Sequence, residues 1–115
     1  MAETVRDMIH AIQVEVRSTD LQPDRAAALL TQLSSLYGNV LEEMREADME
    51  YAVKLLACLD SEEKANRAKI LAETTPEYSR KREARDTEKL ALEMSRALKY
   101  LLRAKEEELR LATHQ

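Results

Sequence analysis

The sequence has few of the residues that build tight loops, disulfides and aromatic platforms. Its 115 residues include one glycine, two prolines, one cysteine and no tryptophan or phenylalanine. A single glycine cannot form a glycine-rich phosphate loop, and a lone Cys58 excludes an internal disulfide or a cysteine-based zinc site. No run approaches the roughly 18 apolar residues of a membrane span, and the N-terminus lacks an apolar signal-peptide core. We therefore expect a cytoplasmic protein.

The abundant residues are those of long helices. Charged residues make up 35% of the chain and hydrophobic residues 44%, mainly leucine, alanine, methionine and valine, a balance typical of coiled coils and helical bundles. The composition therefore predicts an all-α protein. A net charge of -4 provides no general attraction to nucleic acid or to an anionic membrane surface.

Caps and breaks divide one predicted domain, residues 1–115, into three helices. The first covers about 4–18 and begins at a capping-box-like pair, Thr4 and Asp7. A break over 18–23 ends in Pro23, and a second break, at Thr75 and Pro76, precedes a third helix over about 77–112.

The long middle helix is predicted over about 23–73. Its apolar stripe steps by three and four residues and consists of Leu30, Leu33, Tyr37, Val40, Met44, Ala47, Tyr51, Leu55 and Cys58. The stripe keeps its phase across Gly38, so we favour a continuous helix over a turn there, since an interior glycine costs only about 1 kcal/mol. Asp60 with Glu63 is a weaker break signal.

Helix lengths predict an elongated antiparallel helical hairpin with a short N-terminal helix. At 1.5 Å per residue, the third helix covers only about 39–73 and the first about 23–38, so the protomer is two helices thick. That leaves apolar side chains uncovered, namely Leu29, Leu36, Leu41, Leu56, Leu90 and Leu102. We therefore predict self-association into a helical bundle, with a dimer favoured. Its coiled-coil-like seam is predicted at Leu90, Met94, Leu98 and Leu101.

Metal and catalytic sites have little support. Asp7 and His10 share a helical face, but His114 is the only other histidine, so we expect no metal, no cofactor and no catalytic residue. Glu42-Glu43-x-x-Glu46 and Glu63-x-x-Asn66 resemble the acidic signature of all-α nucleoside triphosphate pyrophosphohydrolases, whose carboxylates hold Mg²⁺ against phosphates. Asparagine replaces the final aspartate, and both clusters are predicted on one helix, so we keep this as a remote alternative.

The best local site candidate is a basic cluster at the start of the third helix, formed by Arg80, Lys81, Arg82 and Arg85, with Tyr78 beside it. Positive charge near a helix N-terminus opposes the helix dipole, so helix stability does not explain the cluster. Two interpretations stay open. The cluster pairs with Glu62, Glu63 and Glu73 across the turn, or it binds an acidic protein partner or nucleic acid.

The second half of the chain resembles small helical accessory proteins of tailed phages. The likeness is carried by Pro76, Tyr78, the basic run Arg80–Arg82 and the Leu98-Lys99-Tyr100-Leu101 segment. It implies an accessory protein in the host cytoplasm, often encoded near replication and recombination genes, without a defined activity.

The sequence thus predicts a non-enzymatic interaction protein that self-associates and binds a protein partner, without a membrane association. A nucleic-acid accessory factor that uses the basic cluster is the alternative.

Overall fold

The structure, a computed structural model, describes residues 3–18 and 20–113. These residues form four helices and no strand: α1 (Val5–Val16), α2 (Pro23–Ser61), α3 (Ala65–Ala72) and α4 (Pro76–Thr113). The predicted all-α class is confirmed. Thr19, in the first predicted break, and His114 lie outside the described residues.

Three helix starts follow from local sequence. The Thr4 hydroxyl accepts a hydrogen bond from the Asp7 N–H at 3.1 Å, and the Asp7 carboxylate accepts one from the Thr4 N–H at 3.2 Å. This capping box satisfies two backbone donors that a helix start leaves free. Pro23 and Pro76 each occupy the first position of a helix, where a missing N–H costs nothing.

The prediction of one helix over 23–73 is wrong beyond Ser61. α2 ends at Ser61, and the separate helix α3 begins at Ala65. The Cys58 carbonyl near this end accepts hydrogen bonds from the Glu62 N–H and from the Ser61 hydroxyl, both at 3.1 Å. No proline or glycine lies at this boundary, and Lys64 precedes α3 without a side-chain capping hydrogen bond. The sequence signal there is the weaker one, Asp60 with Glu63. Continuity through Gly38, which lies inside α2, is confirmed.

The chain forms two compact units. The first combines Met1–Gly38 with Lys89–Gln115, and the second is Asn39–Glu88. The second unit holds the end of α2, all of α3 and the start of α4. Its core consists of Tyr51, Cys58, Ala68 and Ala72, with Leu55 and Tyr78 packed against them.

The first unit corrects the predicted two-helix thickness. It contains α1, the start of α2 and the second half of α4. The correction follows from the second unit, where α3 packs against α2 and Tyr78 of α4 lies beside Tyr51, with ring centroids 5.4 Å apart. Because α4 thus starts level with Tyr51 and not near residue 73, its last turns extend into the unit that holds α1.

Burial also corrects the predicted core face of α2. Leu29 and Leu36, which we assigned to an uncovered side, are 1% and 9% exposed, whereas Leu30 is only half-buried. In the first unit, the largest of the fully buried side chains are Ile9, Ile12, Leu29, Leu33 and Leu98. The third helical segment covers the side that a two-helix layer would leave open.

The predicted oligomer seam on α4 is corrected at Leu98. This side chain is 0% exposed within one copy of the chain, so it belongs to the protein's own core. Leu90, Met94 and Leu101 are half-buried. A second copy therefore cannot use Leu98 without opening the first unit.

Across the described part of the chain, no helix combines the length and the apolar character needed to cross a membrane.

Candidate functional site

The two outer arginines of the basic cluster pair with carboxylates of α2. Arg80 Nη1 lies 2.5 Å from Glu50 Oε2, and Arg85 Nη2 lies 3.0 Å from Asp48 Oδ2. As the residue number rises along α4 it falls along α2, so the two helices run antiparallel in this unit. The arginine side chains remain 63% and 53% exposed. Exposed pairs of this kind contribute about 0–1 kcal/mol each.

The two inner cations of the cluster contact aromatic rings. Lys81 Nζ lies 4.5 Å from the centroid of the Tyr51 ring, and Arg82 Cζ lies 5.9 Å from that of Tyr78. Both distances fall within the range of cation–π attraction. Burial, with a smaller contribution from the charge of Glu73, raises the pKa of Tyr51 above its ordinary value.

The first of the two interpretations, pairing of the cluster with carboxylates of its own chain, named the wrong carboxylates in Glu62, Glu63 and Glu73. The partners observed are Glu50 and Asp48, and Glu62 instead lies 3.8 Å from Arg67. The reason is that α2 ends early and α3 lies between it and α4. Because the start of α4 lies level with Tyr51, the carboxylates within its reach are Glu50 and Asp48, which precede Tyr51 within one turn. Intramolecular contact thus reaches every cation of the cluster, which weakens its case as a free binding site.

Asp7 and His10, which share a helical face, are each engaged in local contacts. Asp7 belongs to the capping box, and His10 Nδ1 lies 3.3 Å from Gln13 Oε1. Within residues 3–18 and 20–113, no three histidine, cysteine, aspartate or glutamate side chains gather as a possible metal site.

The two acidic clusters that resemble a pyrophosphohydrolase signature fall on different segments. Glu42, Glu43 and Glu46 are exposed on α2, whereas Glu63 lies in the break after α2 and Asn66 lies on α3. The prediction that both clusters share one helix is therefore wrong. Among the described residues, these carboxylates do not come together as a metal-binding set.

The second unit exposes an apolar surface that our sequence analysis found only in part. Met49, Val53 and Leu56 are 64%, 63% and 61% exposed, and Ala52 is exposed beside them. We call these four residues the exposed stripe. Spacings of three, four and seven place them on one face of α2, opposite the core residues Ala47, Tyr51 and Cys58. Leu56 had been noted as an uncovered side chain, and the spacing of Met49 and Val53 could have revealed the rest.

A shallow groove of about 350 Å³ adjoins the end of α2 in the same unit. Its lining is formed by Lys54, Ala57, Cys58, Ser61, Leu71, Thr74 and Thr75. Leu71 of this lining is 44% exposed, and two further apolar residues of the unit, Leu59 on α2 and Ile70 on α3, are 40% and 66% exposed. The Thr74 and Thr75 hydroxyls donate to carbonyls of α3, each at 2.6 Å, so the groove offers mainly apolar contact.

Comparison with protein-family models, with curated proteins and with solved structures finds no match. The resemblance to accessory proteins of tailed phages therefore stays a prediction.

Proposed function

We propose that this chain is a non-enzymatic helical interaction protein that self-associates and binds a protein partner. It works by covering apolar surface of its second unit against other polypeptide chains. Its site of action is the cytoplasm.

The observation that supports the proposal is where the exposed apolar side chains lie. Of the ten large hydrophobic residues that are exposed in the described part of the chain, six lie between Met49 and Leu71. Single exposed hydrophobics are normal on a protein surface, but a concentration of them marks an interaction surface. A solvent-exposed helix that is apolar on two opposite faces also departs from the one-sided pattern of an ordinary surface helix.

The chemistry of the second unit is consistent with a binding role. The groove beside α3 is lined by aliphatic side chains and by hydroxyls that already donate within the chain. Among the described residues, Lys54 is the one charged residue in that lining. We propose that the groove and Ile70 contact the protein partner, through apolar burial framed by a polar rim.

Photo-crosslinking from single positions tests the proposal in the cells that make the protein. A photoreactive amino acid replaces Ile70 on α3, and in a matched control it replaces Arg103, an exposed residue of α4 in the first unit. We expect position 70 to capture one protein reproducibly, identified by mass spectrometry, and position 103 to capture none of it. Equal capture from both positions, or none from position 70, contradicts the proposed binding surface.

The nucleic-acid alternative has less support. Arg80 and Arg85 each have a carboxylate partner, and phosphate binding would have to displace these pairs.

A further inference from the structure

We propose that the exposed stripe of α2 is the surface through which two copies of this chain pair, antiparallel, about a two-fold axis between Ala52 and Val53. The inference rests on the proposed function and names the occupant of this stripe as a second copy.

Within the described part of its own chain, the stripe is left exposed. Met49, Val53 and Leu56 are each more than half exposed, while the opposite face of α2 packs on α3 and α4 through Tyr51 and Cys58. Exposure on that side is therefore not a consequence of loose packing. Because apolar area gains about 25 cal/mol per Å² when removed from water, three such side chains in a row favour a partner helix.

The apolar residues of the stripe match one another when α2 is reversed. In an antiparallel pair with its axis between Ala52 and Val53, Met49 lies level with Leu56 of the second copy, and Ala52 lies level with Val53. The two-fold axis repeats each of these two contacts, so the interface contains four apolar contacts along its length. The small Ala52 sits next to the axis, where it allows the two helices to approach closely.

The charged residues at the two ends of the stripe are also complementary in the antiparallel pair. Arg45 lies one turn before Met49 and Asp60 one turn after Leu56, and in the antiparallel pair Arg45 of one copy lies level with Asp60 of the other. Neither residue forms an ion pair within the described part of its own chain. A parallel, in-register pair would instead set arginine against arginine and aspartate against aspartate. Charge complementarity therefore selects a second copy in the antiparallel orientation.

One like-charged contact accompanies this arrangement. Glu42, one turn before Arg45, would lie near Glu63 of the second copy, at the exposed ends of the interface. Lys64 follows Glu63 directly and offsets that repulsion, and salt screens the remainder.

The expected dimer is reversible. From Arg45 to Asp60 the interface is about 22 Å long, which is short compared with a stable obligate interface. We expect a monomer–dimer equilibrium that shifts with protein concentration between about 1 μM and 1 mM.

Sedimentation equilibrium of the full chain over that range tests the role of the stripe. We expect the average mass to rise from 13.2 kDa toward twice that value. Val53→Glu should weaken self-association roughly tenfold or more, because it places a carboxylate next to the axis. Leu109→Glu, at an equally exposed apolar position on α4, should leave it unchanged. Helical circular dichroism checks that both variants fold.

Charge reversal tests the orientation. Arg45→Glu and Asp60→Arg should each weaken the dimer, because each sets like charges level with each other. The double variant should restore the dimer, because positions 45 and 60 then again carry opposite charges. Arg103→Glu, which changes the net charge as Arg45→Glu does, serves as the control. If the single reversals have no effect or the double variant fails to restore the dimer, the antiparallel pairing is overturned.

Failure here differs from failure of the proposed function. A chain that stays monomeric to about 1 mM, or that dimerises regardless of Val53→Glu, overturns the stripe as a homodimer surface. Crosslinking from position 70 to another protein would still support partner binding in that case. If position 70 captures no protein but the chain forms a dimer that depends on concentration and on Val53, the partner surface is overturned and the stripe is supported.

Discussion

At the scale of single residues, two carboxylates anchor α1 at its ends. Asp7 closes the capping box at the start, and Glu15 accepts two hydrogen bonds from Arg25, at 2.6 and 2.7 Å, across the turn to α2. The backbone N–H of Thr4, and then its hydroxyl, lower the pKa of Asp7. The hydrogen bonds from Arg25 lower the pKa of Glu15. Folding therefore favours the ionised form of both side chains.

A carboxyl group whose pKa is lower in the folded state stabilises the fold above its unfolded pKa, about 4, and loses that contribution as the pH falls through the folded value. We expect wild type to melt at a higher temperature than Glu15→Gln at pH ~7. The difference should vanish well below pH ~4. Thermal unfolding followed by circular dichroism measures it, with the exposed Glu106→Gln as control. A difference that persists at low pH would show that the pair acts without its charge.

At the scale of helices, α2 runs through a glycine without a structural need for one. Gly38 does not have a positive φ, and a Cβ added there meets no atom within 4 Å. The residue is exposed in the middle of a 39-residue helix. Glycine therefore contributes only its conformational freedom in the unfolded chain, which opposes folding.

Gly38→Ala should stabilise the protein by about 1 kcal/mol. The added methyl group meets no obstacle, and the unfolded chain loses freedom. Urea unfolding measures the change, and Ala104→Gly, at an exposed interior position of α4, should destabilise by a similar amount. No gain from Gly38→Ala would mean that the glycine serves a bend or a contact that one copy of the chain does not contain.

α4 carries apolar residues that differ sharply in burial. Leu98 is fully buried and Leu109 is 66% exposed, although both lie on the same long helix. We expect Leu98→Ala to cost about 2–5 kcal/mol in unfolding free energy, because it removes buried methyl groups and leaves a cavity. Leu109→Ala should stay within about 0.5 kcal/mol. Equal effects in chemical denaturation would mean that Leu98 is not part of the core.

At the scale of the whole molecule, the balance of charge argues against nucleic acid. The net charge is -4, and each cation of the basic cluster already contacts a carboxylate or a ring. We expect no retardation of single- or double-stranded DNA by the protein at ~0.15 M salt.

A variant with glutamine at positions 80, 81, 82 and 85 completes that test. It should stay folded, because exposed pairs contribute little to stability. If wild type does retard DNA in a salt-dependent manner and this variant does not, the basic cluster binds nucleic acid and the nucleic-acid alternative is supported.

The candidate surface was only partly predictable. The basic cluster was evident in the sequence, but its partners were not, since Glu50 and Asp48 lie about thirty residues or more away along the chain. Leu56 was predicted to be uncovered, whereas Met49 and Val53 were missed, although their spacing to Leu56 places all three on the face opposite the core stripe.

The sequence by itself determined what depends on neighbours in the chain. Composition sets the all-α class, Thr4 with Asp7 caps α1, and Pro23 and Pro76 begin helices, because capping and ring geometry act within one turn. Only the tertiary structure decided that the weak break signal at Asp60 and Glu63 ends α2 at Ser61, and that Leu29 faces the core while Leu30 is half-buried. Adjacent leucines satisfy two helical stripes equally well, so the choice depends on which side a third helix covers, and that depends on contacts distant in sequence.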